Sequence, residues 1–498
     1  MSRIILKKEP RLDAKHQAFS YQLKAVEAIR DLDYAAVFHE QGLGKSKIAI
    51  DLMLYWLEIK AVDTVLFVVK KGLIRNWERE LSIHTYIKPR ILTQNRRANF
   101  FAFNSPSRLM LTHYEVLSSE HERFRLFLKA RDVAIVVDEA VKIKNPCSTL
   151  TKVFFDLSPL FKKRIIMTGT PVANRPYDLW AQFWFLDQGQ SLGNNFSEFK
   201  RQVDLSNELA TDEIHRKQFE TKLESIFKRI SKFSVRETKL SGIIELPQKI
   251  IKTIRTDWEC AQYDLYRQIK DELHAIIIRE GIPQDDNAES VLKRLLRLVQ
   301  VASNPRMIDD SYNALPGKFY HLYDLVSNIC QHGEKCLVWT SFIENVDWLA
   351  GKLRHFGSCK VHGKLDMERR NRAIDSFISD PNIKVFIATP QSAKEGLTLT
   401  VANHVIFFDR SFSLDDYLQA QDRIHRISQK KTCFIYNILM NDSIDEWIDI
   451  LLQSKHLAAQ LAQGDISLDY YRSTISYDFG TIIRYILGID TLKLEANR

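Results

Sequence analysis

No apolar run in this sequence reaches the ~18 residues that a bilayer-spanning helix needs, which argues against a membrane-embedded chain. The opening residues, Met-Ser-Arg-Ile-Ile-Leu-Lys-Lys-Glu-Pro, hold too short an apolar stretch for a secretory signal. The expected location is therefore cytoplasmic or nucleoid, host cytoplasm for a viral protein, or the nucleus in a eukaryote. Cysteine is sparse: Cys147, Cys260, Cys330, Cys336, Cys359 and Cys433 are scattered, and none forms a C-x-x-C pair. That spacing argues against disulfides and zinc, and leaves reduced, mostly packed thiols as the expectation. No repeat period and no low-complexity tract stands out. Neither charge sign dominates, with 71 basic against 62 acidic residues, although the balance of +9 suits a polyanionic partner.

What is present is enough apolar material for two or more cores, since 45% of the 498 residues are hydrophobic and single cores stop growing near roughly 250–300 residues. Short apolar runs at 35–38, 64–69, 108–112, 133–137 and 164–167 read as buried parallel strands, with helical patterns such as 45–59 and 73–81 between them. This alternation predicts a doubly wound α/β sheet. From about 187 to 244 strands disappear, and 206–231 and 258–279 read as helices, followed after a polar break by 291–301. Alternation returns with apolar runs at 336–340, 358–361, 385–388, 404–408 and 432–438 and helical patterns at 344–355 and 367–376. The organisation expected is two α/β lobes with helical material between them. The boundaries are a first lobe at 1–186, a helical insertion at 187–245, a linker with a second insertion at 246–315, a second lobe at 316–466 and a tail at 467–498.

Between the first strand and its helix lies Glu40-Gln41-Gly42-Leu43-Gly44-Lys45-Ser46. Glycines there let backbone N–H groups converge on a phosphate, and the helix N-terminus adds positive potential. Gly42, Leu43, Gly44, Lys45 and Ser46 would cradle ATP, with Lys45 on the β- and γ-phosphates and the Ser46 hydroxyl on Mg2+. A full phosphate-loop pattern has glycine where His39 stands. The apolar run 133–137 then delivers two adjacent carboxylates, Asp138 and Glu139. In open α/β sheets ligands bind at the carboxyl ends of the strands, so Asp138 is assigned to Mg2+ and Glu139 to the attacking water.

These motifs, taken in order over most of the chain, resemble superfamily 2 helicases, and specifically the Swi/Snf branch of DNA translocases. Phe19-Ser20-Tyr21-Gln22 resembles the adenine-side motif, in which Gln22 would read the base. Asn76-Trp77 and Glu80 resemble motif Ia, and Leu111-Thr112-His113-Tyr114-Glu115 resembles motif Ib. Asp138-Glu139-Ala140-Val141-Lys142-Ile143-Lys144-Asn145 resembles motif II, and Met167-Thr168-Gly169-Thr170-Pro171-Val172-Ala173-Asn174 resembles motif III. In the second lobe, Val361-His362-Gly363, Glu395-Gly396-Leu397-Thr398-Leu399-Thr400 and Gln419-Ala420-Gln421-Asp422-Arg423-Ile424-His425-Arg426 resemble a DNA-contacting motif, motif V and motif VI. The resemblance implies two RecA-like lobes that bind ATP and Mg2+ and move on duplex or branched DNA. The spacing of Gln419, Arg423 and Arg426 predicts one helix face, from which arginine fingers would serve ATP held by the other lobe.

Three departures stand out: Val141 in place of a histidine, Thr398 in place of an asparagine, and Lys70 in place of a proline. Expected contacts to the DNA backbone are Lys70, Lys71, Arg75, Thr112, Thr340, Ser341, Lys364 and Thr389, groups that suit phosphate oxygens and carry no sequence code. Trp77, Trp180, Trp184 and Trp339 sit in apolar runs and read as core. Nuclease, methyltransferase, zinc and chromatin-reading modules are not recognisable, so the resemblance is to compact bacterial, viral or fork-remodelling members. The alternatives are a strand-separating DNA or RNA helicase and, in another class, a nucleotide-binding scaffold without turnover.

Overall fold

The computed structural model describes residues 6–172, 175–204, 213–241, 246–280, 288–392 and 397–474. Ala173 and Asn174 of the motif III string, Glu395 and Gly396 of the motif V string, and most of the C-terminal tail lie outside the described residues. The chain divides into two compact units. The first comprises Met1–Asp204, Phe219–Glu245 and Leu461–Asp465, and the second comprises Leu205–Gln218, Leu246–Gln460 and Ile466–Arg498.

The first unit is built on seven strands: β1 (Tyr34–Val37), β2 (Thr64–Val69), β3 (Arg90–Ile91), β4 (Leu109–His113), β5 (Val133–Asp138), β6 (Lys163–Met167) and β7 (Ser234–Val235). Their order is β3-β4-β2-β5-β6-β1-β7, and every pairing is parallel. Strands covered on both faces need no polar alternation, and β2 is buried at all six positions. One face packs on the helix Lys45–Glu58, where Ile48, Met53 and Trp56 are fully buried with Val65 and Phe67. β7 was not visible in the sequence. It lies within the stretch set aside as an insertion, yet it pairs with β1, so the chain returns to the first sheet after its helical excursion.

The second unit holds β8 (Lys249–Thr256), β9 (Cys336–Trp339), β10 (Ser358–Val361), β11 (Val385–Ala388), β12 (His404–Phe407) and β13 (Cys433–Met440) in the order β10-β11-β9-β12-β13-β8, again all parallel. Apolar clusters fill both faces, one around Leu322, Val338 and Ile387, the other around Trp339, Phe386 and Ile435. β8 leaves no clear mark in the sequence because it is an edge strand: Lys249, Ile251, Lys252, Thr253 and Arg255 face solvent, so it carries no continuous apolar run. All six cysteines are free; Cys147 and Cys260 are exposed and the other four are buried or half-buried. Among the described residues no helix is long and apolar enough to cross a membrane.

Candidate active site

The carboxyl edge of the first sheet gathers the phosphate loop, the carboxylate pair and the motif III string. Gly44 caps the helix Lys45–Glu58 in the left-handed region, at φ 70. A Cβ there would stand 2.2 Å from Nε2 of Gln22, so both backbone conformation and space require glycine. His39, where the full motif has glycine, needs no left-handed backbone. It is buried, stacks on Tyr21 at 6.1 Å, and its carbonyl accepts the Lys45 ammonium at 2.9 Å. Burial first, and Lys45 second, push the His39 imidazole down to about 4, so it stays neutral beside the lysine. The segment following β7 braces this loop, since Arg236 donates to the Phe38 carbonyl at 2.9 Å while paired with Asp465.

Gln22, expected to read the base, lies against the loop. It is 3% exposed, its Oε1 accepts from the Phe19 amide at 3.0 Å, and its Nε2 approaches the carbonyl of Leu43 at 3.4 Å. Gly169 lies against the loop from the other side. A Cβ there would meet Cγ of Gln41 at 2.8 Å and Nζ of Lys45 at 3.3 Å.

Asp138 ends β5, and Glu139 follows at φ 54, an uncommon conformation for a residue with a side chain. The turn is held by the buried Tyr114 hydroxyl, which donates to the carbonyl of Asp138 at 2.6 Å and approaches that of Glu139 at 3.2 Å. Trp77, read as core, is indeed 1% exposed, but its indole N–H also donates to Oδ2 of Asp138 at 2.8 Å. The other oxygen of Asp138 accepts from the Glu139 amide at 2.9 Å. Burial first and the Glu139 charge second push the Asp138 carboxyl up to about 6; the Trp77 hydrogen bond, Lys45 and Lys70 oppose that shift. Glu139 is 8% exposed. Its Oε1 accepts from Nε2 of Gln41 at 3.1 Å, and its Oε2 is buried without a hydrogen bond. Lys70 places its ammonium 3.9 Å from that oxygen. The half-buried Asp138, the buried Glu139 and a half-buried Ser46 in the first helical turn make a hard-oxygen set that fits Mg2+, which keeps waters and phosphate oxygens as its remaining ligands. The contacts of Gln41, Trp77, Tyr114 and Lys70 with the carboxylate pair were not legible in the sequence.

In the second unit the expected helix face is not formed. The helix Leu414–Gln421 stops before both arginines. The Arg423 carbonyl accepts from the Leu399 amide at 2.9 Å and so is turned away from continuing the helix, while Ile424 enters the core. Arg423 is 1% exposed and donates from Nε to the Gln419 carbonyl at 3.0 Å. Arg426 is half-buried and donates from Nη1 to Oγ1 of Thr398 at 2.7 Å, which gives the motif V substitution a partner. Gln419 is buried, donates to Asp415 at 2.6 Å, and keeps a buried Oε1 without a hydrogen bond.

The expected DNA contacts separate into two groups. Lys71, Arg75 and Lys364 are exposed, and Lys70 is half-buried. Thr112 is buried with its hydroxyl toward the Leu92 carbonyl at 3.4 Å, and Thr340 is buried with its hydroxyl on Asp409. Thr389 is buried and donates to Ser392 at 3.0 Å, and the Ser341 amide donates to Asp409 at 2.6 Å. The hydroxyls of Thr112, Thr340 and Thr389 are thus engaged inside the fold, whereas that of Ser341 is buried without a hydrogen bond. Trp180 and Trp339 are buried, and Trp184 is half-buried against Phe155.

Two family models match the chain. An SNF2-related domain matches residues 21–307, and a helicase conserved C-terminal domain matches residues 317–428. An uncharacterized ATP-dependent helicase of Mycoplasma pneumoniae is 26% identical over 463 residues, covering 90% of this chain and 42% of that protein. The ISWI chromatin-remodeling complex ATPase ISW2 of Saccharomyces cerevisiae is 25% identical over 431 residues, covering 82% of this chain and 37% of its own length. The chain thus spans less than half the length of these relatives. The Sulfolobus solfataricus SWI2/SNF2 ATPase core, solved in complex with dsDNA, is 24% identical, with a TM-score of 0.42 over 95% of this chain and 100% of that one.

Proposed function

Because the chain belongs to the SNF2-related family, we propose that it hydrolyses ATP with Mg2+ and uses the energy to translocate on duplex or branched DNA. The observation that carries this reading is the junction of phosphate loop and carboxylate pair. Gln41 of the loop binds Glu139, whose second oxygen is buried and lacks a hydrogen bond, in a left-handed turn held by Tyr114. Lys45 would leave the carbonyls of His39 and Glu40 for the β- and γ-phosphate oxygens. Ser46 and Asp138 would hold Mg2+. When bound, the ion neutralises charge on the transferring phosphoryl group. Oε2 of Glu139 would take the proton as water attacks the γ-phosphorus and the bond to ADP breaks. Gln419, Arg423 and Arg426 would act in the same turnover, with Arg426 supplying charge to the phosphoryl group and Arg423 and Gln419 positioning it.

Nucleic acid would lie along Lys70, Lys71 and Arg75 on the first unit and Lys364 on the second, through phosphate contacts alone. The test is the ATPase rate with duplex, single-stranded and forked DNA and with RNA, over a salt series. Duplex or forked DNA should stimulate most. Its apparent affinity should fall with salt with a log–log slope of about −0.9 per phosphate contact. Stimulation by RNA alone, or a salt-insensitive effect, would remove the DNA assignment.

The carboxylate pair also sets a pH limit. With its carboxyl raised to about 6, Asp138 gains a proton as pH falls through that value and loses its charge for the cation. We therefore expect kcat/KM for Mg-ATP to drop below pH 6, since this ratio reports groups of the free enzyme. Trp77→Phe keeps the ring packed against Phe67 but removes the hydrogen bond that favours ionised Asp138. It should weaken Mg2+ use by about ten- to a hundredfold and move the acid limb to higher pH. A limb that stays in place in the variant separates Trp77 from Asp138.

A further inference from the structure

Glu139 is gripped unevenly. Oε1 has the Gln41 amide at 3.1 Å, and Oε2 has only the Lys70 ammonium at 3.9 Å, a charge contact without a hydrogen bond. Lys70 stands at the end of β2, immediately before the 3-10 turn Lys71–Leu73. Its side chain is 20% exposed, so the ammonium at the end of a four-carbon stem borders both the buried carboxylate and solvent. Lys71 and Arg75, on the same turn and the helix that follows it, are exposed. Most of the carboxylates on this face are otherwise engaged: Asp138 by Trp77 and the Glu139 amide, and Glu115 by His113 at 2.7 Å. The cation nearest the general base therefore sits beside exposed cations suited to phosphate.

We infer that Lys70 is a positioning residue that restrains Glu139 in the free chain and exchanges that partner for a backbone phosphate when a polynucleotide lies across Lys71 and Arg75. This rests on the proposed reading of a DNA-stimulated ATPase. An ammonium close to Oε2 competes for the lone pair that must accept the proton of water. A phosphate diester offers the same ammonium a charge-assisted hydrogen bond in place of a 3.9 Å approach. DNA would then stimulate hydrolysis by removing a restraint on the base.

The experiment compares wild type, Lys70→Ala and Lys70→Arg for ATPase rate with and without a short duplex, alongside anisotropy of the same labelled duplex and a thermal melt of each variant. Lys70→Ala should raise the DNA-free rate by about 1.5-fold to fivefold, the range of a weak, partly exposed ion pair. It should leave the DNA-saturated rate near wild type, so the stimulation ratio collapses. Duplex binding should lose about one phosphate contact's worth of salt dependence. Lys70→Arg, which keeps the charge, should restore the low basal rate. A general structural defect would lower both rates and so cannot mimic this pattern. A DNA-free rate that is unchanged or reduced in Lys70→Ala overturns the restraint. If wild type itself ignores duplex DNA, the parent reading fails and the exchange with it, while the basal rate of Lys70→Ala still decides whether Lys70 restrains Glu139.

Discussion

Replacing Glu139 with glutamine should leave ATP bound and unhydrolysed. The substitution is nearly isosteric, and the contacts that shape the turn are retained. The Tyr114 hydroxyl still binds two backbone carbonyls, and an amide oxygen at the Oε1 position still accepts from Gln41 at 3.1 Å. What is lost is the lone pair able to take a proton from water at the oxygen that is buried without a hydrogen bond. General-base catalysis contributes typically about a hundred- to ten-thousandfold, so turnover should fall by that factor. Nucleotide affinity should stay within a few-fold of wild type, because Lys45, Ser46 and the loop amides are untouched. Single-turnover hydrolysis with radiolabelled ATP, together with equilibrium binding of a fluorescent ATP, separates the two quantities. Turnover near the wild-type rate would remove Glu139 from the role of base. Loss of binding in parallel would make its part structural.

That assignment shows what was legible in the sequence. Strands buried on both faces announce themselves as unbroken apolar runs, and β5 delivering Asp138 and Glu139 is such a case. The glycine requirement at Gly44 was legible as well, since a tight turn before a helix leaves little choice. Edge strands were not, because β7 and β8 expose much of their side-chain surface and bury no continuous run. The partners of the carboxylates were hidden for a different reason. Trp77 meets Asp138 across 61 residues and Gln41 meets Glu139 across 98, and no periodicity encodes such distances. Trp77 reads as core because it is core, and its indole N–H is an addition that only packing reveals. The arginines failed in the opposite sense. Their four-and-three spacing fits a helix, but a tertiary bond from Leu399 to the Arg423 carbonyl overrides that local pattern.

The overridden helix also distinguishes the two arginines, and Arg426→Ala should show it most clearly. Arg423 is 1% exposed and spends its guanidinium on the carbonyls of Gln419 and Leu397, at 3.0 and 3.4 Å. Removing it would leave buried carbonyls short of a donor, so Arg423→Ala should lower the melting temperature together with activity. Arg426 is half-buried; its Nε donates to the carbonyl of the half-buried Asp422 at 2.8 Å and its Nη1 to the hydroxyl of the exposed Thr398 at 2.7 Å, partners within reach of water. Its loss should therefore cost little stability. If Arg426 neutralises the phosphoryl group in the transition state, turnover should nevertheless fall about a thousandfold or more. ATP affinity should hold, since ground-state binding rests on the first unit's Lys45, Ser46 and phosphate-loop amides. The measurements are kcat at saturating duplex DNA, nucleotide affinity and a thermal melt for each variant. A severe loss of kcat in Arg426→Ala, with melting temperature and affinity near wild type, is the expected pattern. Near wild-type turnover in that variant would mean that the second unit gives no charge to catalysis, and that its basic residues serve DNA alone.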